Sequence, residues 1–379
     1  MKSASGMRLM MTTDAVGGVW IFSVTLARAL SEAGVEVHLV SIGPKPDGGQ
    51  RDMLKGHRGI SLIETDLMLE WQDPAGADLV KAAAVLGALA DRLAPDLIHF
   101  NGFRDAALGW NVPTIVVAHS CVNSWAAACH QSEAFGGSEW STYTANMLEG
   151  LLSASAWVAP THSFCEVIGR SIGSPEKGIA IWNGAERVRR HAKSKQPVIL
   201  SAGRLWDKAK NLSVLSSAAG AIDWPIRIAG SLRADYGVGA VPIDGCECLG
   251  AISHDELMRE MEAASIFVSP ALYEPFGLSV LEAARAGCAL LLSDIPTFRE
   301  LWEGAAIFFD PRDASDLTQS LQSLRSDKVL RARLQRAATD RAERYPLRNT
   351  ASRYLTLYQS LLNDDIGSRP VAEEAGVPA

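Results

Sequence analysis

The sequence predicts an α/β protein of two parallel, doubly wound domains facing one another across a cleft. Three observations predict it. A chain of 379 residues is long for one core and fits two. Short apolar runs alternate with helical stripes from the first residues onward. The same alternation restarts near residue 197, after a basic stretch with no apolar periodicity. Parallel strands joined by helices need both sheet faces covered, and a ligand then belongs beyond their carboxyl ends.

In the first half, an apolar run at 9–11 leads to a glycine turn at Gly17 and Gly18. A helical stripe through Val19, Phe22, Ala27 and Leu30 follows and stops at Gly34; with the alternating strand at 35–41 it makes a right-handed βαβ unit. Strands are expected at 96–100 and 114–118, a helix at 138–152, and a strand at 156–160 that Pro160 closes. These elements form a first domain at 1–186, and the basic run 187–195 reads as a linker.

The second domain, 196–346, opens with a strand at 197–202, a loop, and a helix for which Asn211 is the expected N-cap. Strands at 226–229 and 248–252 precede a helix opened by Ser253, with Glu256 at the spacing of a capping box. Strands at 265–269 and 289–293 and helices at 314–324 and 328–344 complete it, and Pro346 breaks the last of these. The helix at 349–362 is expected to cross back to the first domain, with 365–379 a disordered tail.

Composition narrows the function class. Hydrophobic residues at 47% and charged residues at 21% describe a soluble globular enzyme. A formal charge of −7 gives no general attraction to nucleic acid or anionic membrane. The six cysteines show no Cys-x-x-Cys spacing, so neither a zinc site nor a disulfide framework is expected, and a cytoplasmic location follows. Neither a signal peptide nor a run of about 20 apolar residues is read in the chain.

The most specific motif is Glu274, Pro275, Phe276, Gly277, Leu278, Ser279, Val280, Leu281, Glu282 and Ala283 in order. It resembles the signature of the retaining glycosyltransferases of family 4. Its frame is equally similar to theirs: Gly17-Gly18, His119, Asn183-Gly184, Gly203-Arg204 and Lys210-Asn211. The resemblance extends over nearly the whole chain. It implies a GT-B fold of two Rossmann-like domains and transfer of a sugar from a nucleotide-diphosphate sugar, a UDP-sugar in preference to a GDP-sugar, with retention at the anomeric carbon. It also implies no bound metal and no cofactor. A non-catalytic nucleotide-sugar-binding protein of the same fold and a nucleotide-sugar epimerase are the alternatives. A Rossmann dehydrogenase is disfavoured, because Gly17-Gly18 lacks the full Gly-x-Gly-x-x-Gly spacing.

The chemistry assigns candidate roles. A departing nucleoside diphosphate gathers negative charge that Arg204 and Lys210 are placed to neutralise. The Arg204-to-Lys210 interval is one residue longer than in many family members, so Lys208 stays as second choice. A helix starting near Leu278 would direct the N–H groups of Phe276, Gly277 and Leu278 at the donor, and Gly17 and Gly18 would do likewise from the first domain. The resemblance implies that Glu274 takes donor-sugar hydroxyls, Glu282 the ribose, and His119 the donor sugar near the reaction centre. The base is expected against Leu249, Gly250 and Ile252. Trp20, Asn101 and Trp125 are the acceptor-side candidates, within walls at 17–20, 101–104 and 120–143, although aromatics packed inward would explain the last equally well. The acceptor is a glycan, a lipid-linked sugar or a small molecule. Membrane contact, if any, is peripheral and through 187–195.

Overall fold

The computed structural model describes residues 6–173, 177–186, 194–231 and 243–363. Residues 187–193 of the expected linker and the expected tail at 365–379 lie outside the described residues.

The first sheet contains β1 (Arg8–Asp14), β2 (Glu36–Ile42), β3 (Ile60–Glu64), β4 (Leu97–Phe100), β5 (Thr114–Val117), β6 (Ala156–Ala159) and β7 (Ile179–Ala180). Its order is β3-β2-β1-β4-β5-β6-β7, with parallel pairing throughout. The second sheet contains β8 (Gln196–Ala202), β9 (Ile226–Ala229), β10 (Glu247–Gly250), β11 (Ala264–Ser269), β12 (Ala289–Ser293) and β13 (Ala306–Phe309). Its order is β10-β9-β8-β11-β12-β13, again all parallel. In both sheets the order reverses beside the first strand, at β1 and at β8, which opens a crevice at the carboxyl ends.

Burial on both faces explains the apolar runs. In β1, Met10 joins a core layer with Phe100 and Tyr143, while Leu9 and Met11 join the opposite layer with Trp20 and Tyr354. In β8, Leu200 and Ile199 divide between two layers in the same way. The last helix, Leu347–Leu362, begins after Pro346 and lays Tyr354, Leu357 and Tyr358 against Trp20 and Phe22 of the first domain. Two chain crossings therefore join the domains.

Several elements differ from the sequence reading. Asn211 does not cap a helix: at φ 52° it sits in the left-handed region between two 3-10 turns, Lys208–Lys210 and Leu212–Val214, and the helix starts only at Leu215. Its side-chain amide instead donates to the carbonyls of Pro270 and Pro311, at 3.0 and 2.8 Å. Asparagine tolerates this backbone because its short polar side chain bonds locally. Strands β3, β7 and β13 were not foreseen, β7 because two residues carry no periodicity. The helix Leu79–Leu93 was also missed; it buries Ala82, Leu86 and Leu89 on one stripe.

Trp20, an acceptor candidate from sequence, is core. Its side chain is 0% exposed within the stripe Trp20, Val24, Ala27 and Leu30 of the helix Gly18–Glu32. The ring packs in one layer with Phe22 and Tyr354, and Trp20 does not line the cavity.

Candidate active site

A cavity of about 500 Å³ lies between the two sheets' carboxyl ends. Gly17, Gly18, His119 and Trp125 line it from the first domain; Arg204, Asp207, Lys210, Glu274, Phe276, Gly277 and Leu278 line it from the second.

Gly17 precedes the first helix at φ 80°, a conformation that favours glycine. A Cβ at this position would run into the Arg204 guanidinium of the opposite domain, whereas one on Gly18 would meet nothing. The two glycines therefore differ in kind: Gly17 lets the domains approach, and Gly18 leaves backbone exposed.

Arg204 follows β8, and its Nη2 donates to Asp207 Oδ2 at 2.6 Å while the guanidinium lies over Trp206 at 5.3 Å from the ring centre. Burial raises the Asp207 carboxyl, but Arg204, Lys210 and the bonds from Trp125 and the Ala209 N–H outweigh burial and hold it below its ordinary value. Lys210 Nζ donates to Glu274 Oε2 at 2.6 Å, so the two expected donor-site charges arrive as an ion pair on the cleft wall. Lys208 is exposed and donates to Gln131 at 2.9 Å, away from the cavity lining. In a 3-10 turn successive side chains step by about 120°, so residues two apart point to different sides.

The Glu274–Gly277 loop enters the helix Leu278–Arg285 through Gly277, at φ 86° and with no side-chain cap. Leu278 and Ser279, the first two residues of that helix, line the cavity and their N–H groups have no side-chain cap. Thr297 Oγ1 donates to the Glu274 carbonyl at 2.6 Å and fixes the loop. Phe276 places its ring in the core beside Tyr345, and the residue also borders the cavity. Glu282 does not line the cavity; its Oε1 pairs with His254 Nε2 at 2.9 Å, an interaction that raises the His254 pKa. Of the expected base wall, Ile252 lines the cavity and Leu249 and Gly250 do not. Gly250, at φ 72° beside a register shift, gives its carbonyl to the Gly230 N–H at 2.8 Å.

His119 stands just past the end of β5 and bonds Asn101 Oδ1 through Nε2 at 2.7 Å. Asn101 Nδ2 donates to the Thr12 carbonyl and to Ser23, at 2.7 and 3.0 Å, so its oxygen faces both His119 Nε2 and His99 Nε2 and both rings donate to it. His119 is left with Nδ1 as its acceptor atom. Asn101, expected to touch acceptor, instead commits its side-chain amide to Thr12, Ser23, His99 and His119 and does not line the cavity. Burial lowers both imidazoles to about 3.

His99 and His119 are accordingly expected to stay neutral down to about pH 4, where ordinary imidazoles would have protonated near pH 6.5. Ring carbon resonances followed by NMR check this, and a midpoint near 6.5 for His119 would contradict it. A folded-state value below the unfolded one contributes stability present above about pH 6.5 and lost as pH falls toward 3. Asp14 and Glu70, lifted by burial to about 7, work in the opposite sense, because their folded forms gain protons as pH falls from 7 toward 4.

Two cavity residues, Asp207 and Tyr273, and a buried carboxylate beside them in the fold, Asp14, escaped the sequence reading. Asp14 ends β1 and accepts from the Val16 N–H at 2.7 Å; its place at a strand's carboxyl end was the available signal. Asp207 and Tyr273 line the cavity and carry no motif signal of their own. Among the described residues, no group of three His, Cys, Asp or Glu side chains is placed to hold a metal, and no helix is long and apolar enough to cross a membrane.

Comparison with known proteins bears on this arrangement. Residues 16–189 match the family described as Glycosyltransferase Family 4, and residues 184–341 match Glycosyl transferases group 1. The GDP-mannose:cellobiosyl-diphosphopolyprenol alpha-mannosyltransferase of Komagataeibacter xylinus is 31% identical over 208 residues, covering 48% of this chain and 51% of that protein. The serotype-specific mannosyltransferase WbdA of Escherichia coli is 32% identical over 124 residues, 31% of this chain and 15% of its own length. The matches thus span about half or less of these curated relatives. Sucrose-phosphate synthase from Thermosynechococcus elongatus superposes with a TM-score of 0.78 at 19% identity, covering 94% of this chain and 99% of that one. HepE of Anabaena in complex with UDP-glucose superposes at 0.72 and 16% identity, covering 93% and 100%. The fold is GT-B.

Proposed function

Because the chain belongs to the group 1, family 4 glycosyltransferases, we propose that it moves a sugar from a nucleotide-diphosphate sugar to a hydroxyl of a glycan, lipid-linked or small-molecule acceptor, with retention and without a bound metal. The observation that carries this reading is the convergence of Arg204, Lys210, the Gly17 turn and the uncapped start of Leu278–Arg285 on one cavity, opposite His119. A helix N-terminus and two cations suit a diphosphate, and their positive charge becomes more valuable as the sugar–phosphate bond breaks. In the proposed step the acceptor oxygen bonds to the anomeric carbon on the face the diphosphate leaves, and the departing phosphate oxygen takes the hydroxyl proton. His119, neutral and fixed by Asn101, orients the donor sugar. Glu274, tied to Lys210, accepts from its hydroxyls.

The donor is proposed to be a UDP-sugar, in line with the UDP-glucose in HepE, while the Komagataeibacter relative's name makes GDP-mannose the natural competitor. Titration calorimetry with UDP and GDP decides between them, with tighter UDP expected. A panel of nucleotide sugars should yield released nucleoside diphosphate with one donor above the rest, undiminished by a chelator. Release restored only by added manganese or magnesium would refute the metal-free part. No release from any donor, with intact nucleotide binding, would favour a binding protein.

A further inference from the structure

We propose that Asp207 is a positioning residue joining the acceptor-side wall to the arginine of the donor site, so that Trp125 of the first domain and Arg204 of the second are set as one unit. The proposal rests on the reading of the cavity as a nucleoside-diphosphate site.

The side chain of Asp207 is 6% exposed, and both its oxygens are engaged. Oδ2 accepts from Arg204 Nη2 at 2.6 Å; Oδ1 accepts from Trp125 Nε1 and from the Ala209 N–H, each at 3.0 Å. The carboxylate thereby touches both a donor-site cation and an aromatic ring from the opposite domain. Trp125 is held from its far side as well, by edge contact with Phe135 at 5.8 Å, which in turn meets Trp140 at 4.7 Å. Its helix, Val122–Ala128, is pinned at its start by Tyr273, the residue before Glu274: the Tyr273 hydroxyl accepts from the Cys121 N–H at 3.2 Å and pairs with Ser124 Oγ at 2.8 Å. At the other end Arg312 donates to the Ala128 carbonyl at 2.9 Å.

Two of these tethers therefore end beside donor-site residues, Arg204 and Glu274. Arg204 commits Nη2 to Asp207 at 2.6 Å, while a Cβ on Gly17 would meet its Nη1, so a second edge of the guanidinium stands beside the glycine turn that lines the cavity. An arginine with one edge anchored on a carboxylate and a second edge beside such a turn is organised for a second anion. The alternative role for Asp207, a counter-ion that merely competes with phosphate for Arg204, predicts the opposite effect on nucleotide affinity.

The test is calorimetric titration of UDP, or of GDP if that binds tighter, into wild type, Asp207→Asn, Trp125→Phe and the double variant. Trp125→Phe keeps an aromatic ring at the position and deletes the N–H together with the five-membered half of the indole. Asp207→Asn is expected to weaken binding about tenfold and Trp125→Phe about threefold, the scale of hydrogen bonds to a charged and from a neutral group. The double variant should bind no more weakly than Asp207→Asn alone. Tighter binding by Asp207→Asn, an unchanged Trp125→Phe, or losses that multiply in the double would each overturn the proposal. If wild type binds neither nucleotide, the functional reading fails, and the tie is judged on ligand-free protein by thermal melts: the double variant should melt with Asp207→Asn, and additive losses would overturn it.

Discussion

Lys210→Ala is expected to slow nucleoside diphosphate release about 10²- to 10³-fold, the effect of losing one preorganised transition-state donor, with the protein still folded. Arg204→Ala should act on the same scale. The reason is geometric: both cations reach the cavity from the loop after β8, and Lys210 also holds Glu274 at 2.6 Å. Removing Lys210 leaves that carboxylate, 14% exposed, without its partner, so part of the loss should appear as weaker donor binding. Lys208→Ala is the matched control, because its ammonium contacts Gln131 outside the cavity lining. Steady-state release from the best donor, alongside melting curves that establish folding, makes the comparison. A silent Lys210→Ala beside a damaging Lys208→Ala would reverse the assignment.

Trp20→Ala is expected to destabilise the fold by about 3–5 kcal/mol, the usual range for deleting a buried aromatic ring. Trp20 is fully enclosed, in the layer formed by Phe22, Leu30 and the returning helix's Tyr354. Its indole Nε1 has no hydrogen-bond partner among the described residues, so Trp20→Phe removes an orphaned donor along with some volume and should cost much less. Urea unfolding of the two variants reads the difference. A Trp20→Ala protein with unchanged stability and lost turnover would return this residue to the cleft and reject the core placement.

The two glycine turns that line the cavity share a property: a local backbone state that glycine favours. Gly277 turns a loop into a helix start at φ 86°, and Gly17 does the same at φ 80° in the other domain. Residues with such constraints sit in fixed spacing from the strands around them, which is why the motif at 274–283 and the turn at 17–18 could be located from their neighbours alone. Asn211 shows the limit of that logic. Its residue type suits both an N-cap and a left-handed turn, and the choice fell to the Pro270 and Pro311 carbonyls, 59 and 100 residues away.

By itself the sequence determined the alternation of apolar strands and amphipathic helices, hence two parallel sheets, and the loops that end at their carboxyl edges. It also determined the presence of Arg204, Lys210, Glu274 and His119 at those edges, because strand ends are legible from periodicity. Only the tertiary structure decided which way the side chains point and which distant partners they meet. It turned Trp20 inward, bonded Asn101 to His119, separated Lys208 from Lys210, and closed Trp125 on Asp207 across 82 residues. Periodicity reports which face of an element is buried, whereas these outcomes depend on how two domains approach and which buried polar groups find partners, and that information resides in contacts no local pattern records.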